Sequence, residues 1–136
     1  MAKSWDPEKV ISPQYTGAFD GGSKPNPGQM TIGGWIADPN RKTILKFSEN
    51  IGYGTNNEAE YRAFIRLIKE AKILGIESIS IRGDSALVVN QVNGKWKVKV
   101  SKIQELRNQA LHEMKGMDII LTHVLRKYNT IADSLT

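Results

Sequence analysis

The chain has 136 residues, 40% of them apolar, which fits one compact domain that buries its own core. It contains no cysteine, so disulfides, thiol nucleophiles and thiolate metal sites are excluded, and any metal ion would need oxygen or imidazole ligands. Nineteen basic against fourteen acidic residues leave a formal net charge of +5, which favours encounter with a polyanion.

The N-terminal segment shows no sustained hydrophobic period. Residues 1–14 contain two prolines, and we interpret them as a loose leader before a single domain at residues 15–136. The segment lacks the apolar core of a signal peptide, and no apolar run approaches the roughly 20 residues needed to cross a bilayer. We therefore expect a soluble, cytoplasmic monomer with no contact to a membrane and no obligate protein partner.

Three strands are expected first. Residues 15–20 read as a strand that ends at Gly21 and Gly22, before a segment rich in turn residues. Further strands are predicted at 31–37 and 43–51, joined by a tight reversal that contains proline and asparagine. The pattern predicts three antiparallel strands, with Asp20 at the C-terminal end of the first.

Helices and strands alternate in the rest of the chain. An apolar stripe predicts a helix over 57–74, with Glu60 on the stripe and Gly75 as its C-terminal stop. A strand at 78–82 leads through Asp84 into a second helix that includes 86–91. The remaining elements are expected in the order helix, strand, helix, at 101–115, 118–123 and from 129 onward.

Four acidic residues have ordinary structural explanations when each is taken alone. Asp20 before glycine suits a turn, Glu60 forms a capping box with Asn57, and Asp84 suits an N-cap. Asp133, on the terminal helix, would by default be a solvated acid.

The placement of these acids favours a different interpretation. Acids at strand ends and on a core-facing stripe rarely occur without a partner. If the two strands are neighbours, the carboxylates converge at one rim, where they would repel one another unless a cation joined them. Such a cluster is typical of a magnesium or manganese site, and two hard cations roughly 3.5–4 Å apart can support hydrolysis of a phosphodiester.

Four ordered motifs resemble those of the type 1 ribonuclease H family. They are FDGGSKPNPG at 19–28, TNNEAEY at 55–61, RGDS at 82–85 and NTIADSL at 129–135. The resemblance spans about residues 15–135, and four motifs in order are far more specific than one. In the second motif the glutamate three residues after the second asparagine is the catalytic one, which points to Glu60 rather than Glu58.

The resemblance implies an α/β fold of the ribonuclease H type. Its five-stranded mixed sheet, three antiparallel strands followed by two parallel ones, would be flanked by helices. It also implies an endonuclease that cuts the RNA strand of RNA–DNA hybrids and leaves 5′-phosphate and 3′-hydroxyl ends. The ligands of two magnesium ions, with manganese as an alternative, would be Asp20, Glu60, Asp84 and Asp133.

Contacts to the hybrid follow from the same resemblance. Asn26, Asn56 and Asn57 match positions near the cut, and Thr55 matches a residue that holds a phosphate of the DNA strand. For any one of these polar residues, plain turn or cap chemistry is an equal alternative. The full set expected to touch the substrate is Gly21, Gly22, Ser23, Asn26, Thr55, Asn56, Asn57, Ser85, Trp96 and Arg126.

The chain departs from many members of the family in three places. Many members carry a histidine on a loop before the last motif. Here that segment is short and places His123 at the end of the fifth strand, so we do not assign the role of the loop histidine to it. Arg126 is our hypothesis for a positive group that faces the scissile phosphate. A basic insertion is missing, although Trp96 lies among lysines and could either stack on the substrate or pack on the sheet. Ala86 replaces a glutamine that often touches RNA.

Three alternatives remain open. A module that binds hybrids without cutting them would usually have lost an acid, and all four are present. Related folds use similar acid clusters to cut or join DNA. The segment could also be the nuclease domain of a larger, polymerase-linked protein.

Overall fold

The computed structural model describes residues 14–135, apart from the side chains of Asp133 and Ser134. The predicted leader therefore lies outside the described residues except for Gln14, and its boundary stays a prediction.

Five strands form one mixed sheet. They are β1 (Tyr15–Lys24), β2 (Gly28–Ala37), β3 (Thr43–Gly54), β4 (Ser78–Gly83) and β5 (Asp118–His123). The spatial order is β3-β2-β1-β4-β5. β2 pairs antiparallel with β1 and β3, whereas β4 pairs parallel with β1 and β5. This confirms the predicted sheet of three antiparallel strands followed by two parallel ones.

Four helices accompany the sheet within residues 14–135. They are α1 (Asn56–Ile73), α2 (Ala86–Val92), α3 (Ser101–Met114) and α4 (Thr130–Ser134), and a short 3₁₀ turn precedes α4 at Arg126–Tyr128. The apolar face of α1 is fully buried against the sheet, where the rings of Phe64 and Phe19 lie 5.2 Å apart. Within residues 14–135, no helix is long and apolar enough to cross a membrane.

The hairpin between β1 and β2 is longer than its sequence predicts. β1 continues to Lys24 and β2 begins at Gly28, because backbone pairing carries the glycine-rich segment through Gly22 opposite Thr31 and Lys24 opposite Gln29. The expectation that Asp20 ends the first strand is therefore wrong. Pairing of β1 with β4 nevertheless stops at Phe19, so Asp20 still lies at the rim of the parallel half of the sheet.

The helix starts also differ from those predicted. α1 begins one residue early because Thr55 is its N-cap and forms the capping box with Glu58, so the box assigned to Asn57 and Glu60 is wrong. Likewise Ser85, and not Asp84, caps α2 by accepting a hydrogen bond from the Val88 N–H. Neither acid is used to begin a helix.

Candidate active site

Three carboxylates meet at the rim of the sheet. Asp20 extends from β1, Glu60 from the first turns of α1, and Asp84 from the residue after β4. Oxygens from these three residues lie within 4.8 Å of one another. The structure thus brings together three of the four acids that the sequence singles out.

Gly21 permits this convergence. A Cβ atom at residue 21 would lie 2.3 Å from the Ala59 carbonyl oxygen, so a side chain there would push α1 away from β1. With glycine in place, the Gly21 N–H donates a 2.9 Å hydrogen bond to Oε1 of Glu60. The glycine therefore sets both the distance between the two elements and the orientation of the Glu60 carboxyl.

The three acids cannot share this site as anions without cost. Asp20 is 2% exposed and Glu60 is 8% exposed. Burial, together with the charges of Asp20 and Asp84, raises the pKa of Glu60 to about 9, although the Gly21 N–H and Arg126 act in the opposite direction. A divalent cation would relieve this repulsion, and a donor set made of carboxylate oxygens fits magnesium or manganese.

Asp133 lies on α4, but its side chain is outside the described residues, so its role as the fourth ligand stays a prediction. The helix that carries it is anchored close to β2. A Cβ atom at Gly33 would meet Leu135 at 2.6 Å and the Ala132 carbonyl oxygen at 3.0 Å.

Asn129 ties the start of α4 to the acidic site. It is 2% exposed, and its Nδ2 donates to the Phe19 carbonyl oxygen at 3.0 Å and to Oδ2 of Asp84 at 3.5 Å. The sequence places Asn129 in the fourth motif without assigning it a site role. The structure shows a residue that orients Asp84, because its amide bridges a strand backbone and the carboxylate.

Arg126 is the cation beside the carboxylates. It begins the 3₁₀ turn after β5, and its Nε lies 3.9 Å from Oδ2 of Asp84. Its side chain is 75% exposed, so the guanidinium can reach a ligand as well as the acid. His123, which the sequence leaves without a role, is the exposed last residue of β5.

An open cleft of about 590 Å³ lies beside the acids, and Asp20 and Glu60 form part of its lining. Four residues expected to touch substrate line it beside Arg126: Gly21, Gly22, Ser23 and Asn56. Three lining residues have no predicted role: Lys24, Gln29 and Thr31. The sequence ends the first strand at Asp20 and begins the second at Thr31, so it gives no strand alternation at Lys24 and Gln29.

Several of the polar candidates also hold the cleft together. Oδ1 of Asn56 accepts the Ser23 N–H at 2.7 Å, and Oδ1 of Asn26 accepts the Asn56 N–H at 3.0 Å. Thr55 and Ser85 are N-caps. These residues therefore have the turn and cap roles that are the alternative to substrate contact. The side-chain amide nitrogens of Asn26 and Asn56 take no part in these hydrogen bonds and can still contact a ligand.

A second, smaller groove lies beside α2 and α3. Trp96 is 49% exposed and lines it together with Asn57, Lys97 and Lys99. The loop that carries Trp96 is held by Gln91, whose side chain accepts from the Tyr61 hydroxyl at 2.7 Å and donates to the Lys97 carbonyl oxygen at 3.3 Å. This link connects the groove to α1 one residue beyond Glu60.

Comparison with known proteins gives consistent matches. The model of the family described as "Reverse transcriptase-like" matches residues 18–136. Ribonuclease HI of Halobacterium salinarum is 34% identical over 131 residues, which are 93% of this chain and 66% of that protein. The Bifunctional protein Rv2228c of Mycobacterium tuberculosis is 41% identical over 92 residues, 67% of this chain and 25% of its own length. The chain thus spans about two thirds of the first relative and about a quarter of the second.

Solved structures agree with these matches. The crystal structure of RNase H1 from Halobacterium salinarum superposes with a TM-score of 0.87 at 34% identity, over 90% of this chain and 93% of that one. LC11-RNase H1, solved in complex with an RNA/DNA hybrid, gives a TM-score of 0.85 at 32% identity, over the same shares of the two chains.

Proposed function

This chain belongs to the ribonuclease H family, and on that premise we propose that it is an endonuclease that hydrolyses the RNA strand of RNA–DNA hybrids. The observation that carries the proposal is the group of three carboxylates within 4.8 Å of one another, two of which, Asp20 and Glu60, line an open cleft together with Arg126. A relative of the same fold, LC11-RNase H1, has been solved with an RNA/DNA hybrid bound.

Asp20, Glu60 and Asp84 would hold two magnesium ions, with manganese as an alternative and Asp133 as the fourth proposed ligand. When bound, the cations would supply an activated water and stabilise the leaving oxygen of the phosphodiester. Glu60 would release a proton when a cation binds, since its raised pKa leaves the carboxyl protonated at neutral pH in the absence of metal.

The remaining steps belong to side chains of this protein. Asn129 holds Asp84 in position, and Arg126 faces the scissile phosphate and offsets its growing negative charge. The attacking water releases one proton to solvent as its oxygen bonds to phosphorus, and the bond from phosphorus to the 3′-oxygen breaks. The 3′-oxygen takes up a proton from solvent, so the products carry a 5′-phosphate and a 3′-hydroxyl.

Discrimination between the strands rests on the RNA 2′-hydroxyl. In this proposal the amides of Asn26, Asn56 and Asn57 contact the RNA strand near the cut, while Thr55 contacts a phosphate of the DNA strand. Trp96 stacks in its own groove. The remaining proposed contacts are Gly21, Gly22, Ser23 and Ser85.

A cleavage panel tests the proposal. Labelled RNA–DNA hybrid, single-stranded RNA, duplex RNA and duplex DNA are incubated with wild type and with Asp84→Asn, with and without magnesium. We expect magnesium-dependent cutting of the RNA strand of the hybrid alone, with no cutting by the variant. Binding of the hybrid without cutting would identify a binding module instead, and cutting of duplex DNA would place the chain among the DNA nucleases of related fold.

A further inference from the structure

The cleft contains a cation that the proposed reaction does not use. We propose that Lys24, together with Gln29, forms a subsite for a phosphate of the RNA strand away from the scissile one. This inference rests on the proposed function, because it assumes that the RNA strand crosses the acids. It assigns a substrate contact to residues on the far end of the β1–β2 hairpin.

Strand geometry places these side chains on the face of the sheet that carries Asp20. Successive residues of a strand point to opposite faces, so Asp20 and Lys24, four residues apart on β1, share a face. Gln29 pairs directly with Lys24 across the hairpin, and Thr31 pairs with Gly22. All of them line the cleft that contains Asp20 and Glu60.

The charges around the cleft favour an anion at this end. Lys24 is exposed and forms no ion pair with any residue between 14 and 135 whose side chain is described. Gln29 is also exposed; its Nε2 donates to the Met30 carbonyl oxygen at 3.3 Å, which leaves its Oε1 and a second N–H. Lys24 can therefore supply the charge and Gln29 a hydrogen bond to one phosphate.

Lys24 and Arg126 are the two cations among the described residues that line this cleft, and they come from opposite sides of it. Arg126 follows β5, beyond β4, whereas Lys24 ends β1 at the hairpin. Because the acids between them repel a polyanion, cations on both sides would hold the strand while it passes over the centre.

The spacing indicates which phosphate is contacted. Four residues of extended strand separate Asp20 from Lys24 by about 13 Å. A nucleic acid strand advances about 3.4 Å per nucleotide along its axis, so we expect the contact about two to four nucleotides from the cut. The phosphate at Lys24 is therefore a different one from the phosphate that is hydrolysed.

A scan with neutral linkages tests this inference. A series of hybrids carries one methylphosphonate each, moved one position at a time along the RNA strand, and kcat/KM is measured for wild type, Lys24→Ala and Lys24→Arg. Lys42→Ala is the matched control, because Lys42 is an exposed lysine that follows β2 at the opposite end of the sheet. Binding of the unmodified hybrid is measured as a function of salt for the same proteins.

For wild type, we expect one linkage outside the cut site at which the neutral group lowers kcat/KM by about threefold to tenfold. Lys24→Ala should lower kcat/KM on the unmodified hybrid by a similar factor, and the neutral group at that one linkage should no longer lower kcat/KM further. The variant should also reduce the slope of log affinity against log salt by about one. Lys24→Arg should keep the wild-type profile, and Lys42→Ala should keep it as well.

Two results would overturn the inference. If Lys24→Ala keeps the wild-type sensitivity at every linkage while wild type cuts normally, Lys24 contacts no phosphate and the proposed function still stands. If wild type neither binds nor cuts the unmodified hybrid, the proposed function fails and takes the subsite with it. The unmodified hybrid therefore separates the two failures.

Discussion

At the scale of single residues, Glu60 shows most clearly how the site is arranged for a cation. Its carboxyl is buried between two other acids, and the pKa rises to about 9. In the unfolded chain the same group would titrate near its usual value of 4.5. The folded protein without metal therefore holds one more proton than the unfolded chain between these two pH values, and its stability falls as the pH rises through that window.

Glu60→Gln should consequently stabilise the protein when metal is absent. At pH 8, with a chelator present, we expect the free energy of unfolding to rise by about 2–5 kcal/mol, because the wild-type carboxyl must take up a proton on folding at this pH and the amide need not. Below pH 4.5 the difference should vanish, since wild-type Glu60 is then protonated in both states. Urea unfolding of both proteins across this pH range measures the effect.

Glu105→Gln is the matched control, since Glu105 is exposed on α3. It should change the stability little at either pH. A Glu60→Gln protein that is no more stable than wild type at pH 8 would show that Glu60 is already ionised there without metal.

Arg126 provides the second prediction at this scale. Arg126→Ala should lower kcat on the hybrid by about tenfold or more, because a positive group that faces the transition-state charge is lost. Metal affinity should change little. Loss of the positive charge favours cation binding to the carboxylates, but it also favours binding of protons that compete with the cation, so the two effects oppose each other. Single-turnover rates and magnesium titrations measure the two quantities separately.

The neighbouring Lys127 offers the control for Arg126. Its Nζ lies over the Tyr128 ring at 5.1 Å, and it forms no ion pair with an acid whose side chain the structure describes, so Lys127→Ala removes the same charge from the same turn. Equal rate losses in both variants would indicate a general effect of charge and would contradict a specific role for Arg126.

At the scale of elements, the close approach of β1 and α1 determines whether the acids meet. The two adjacent glycines of the hairpin differ sharply in this respect. A Cβ atom at Gly21 would overlap the backbone of Ala59 at 2.3 Å, whereas one at Gly22 would meet only Oδ1 of Asn56, at 3.6 Å. Backbone cannot move aside as a flexible side chain can, so only the first position requires glycine for packing.

A matched pair of variants follows from this difference. Gly21→Ala should lower the free energy of unfolding by about 3 kcal/mol or more, while Gly22→Ala should change it by less than about 1 kcal/mol. Thermal or denaturant unfolding compares the two directly. Similar losses in both variants would show that the approach of α1 to β1 does not depend on Gly21.

Elements also show where sequence reasoning succeeds and where it stops. The apolar stripe of α1 and the order of helices and strands along the chain follow from local patterns, and the structure confirms both. The sequence places the end of β1 too early because glycines and prolines favour turns, and only pairing across the hairpin keeps Gly22 and Lys24 in a strand. Without that strand, the sequence cannot show that the side chains of Lys24 and Gln29 lie in the cleft.

For the site, the motifs identify Asp20, Glu60 and Asp84 as members of one cluster, and the structure brings them together. The contact of Asn129 with Asp84 could not be predicted, because it joins residues 45 positions apart through the packing of α4. The role of Asp133 and the other substrate contacts stay predictions.

At the scale of the whole molecule, an acidic centre lies in a protein with a formal net charge of +5. A polyanion would be attracted to the molecule as a whole and repelled by its centre. Bound divalent cations would remove that conflict, so the nucleic acid substrate and the metal depend on each other. The predictions of a monomer and of a cytoplasmic location are independent of this argument.

The central claim is that the carboxylate cluster directs attack by water on the RNA strand of a hybrid. The most direct measurement is identification of the product ends by mass spectrometry, after wild type and Asp20→Asn have acted on a hybrid at a range of magnesium concentrations. We expect RNA fragments with 5′-phosphate and 3′-hydroxyl ends, formed only with the metal and only by wild type. Fragments ending in a 2′,3′-cyclic phosphate, or cutting that persists in the variant, would contradict it.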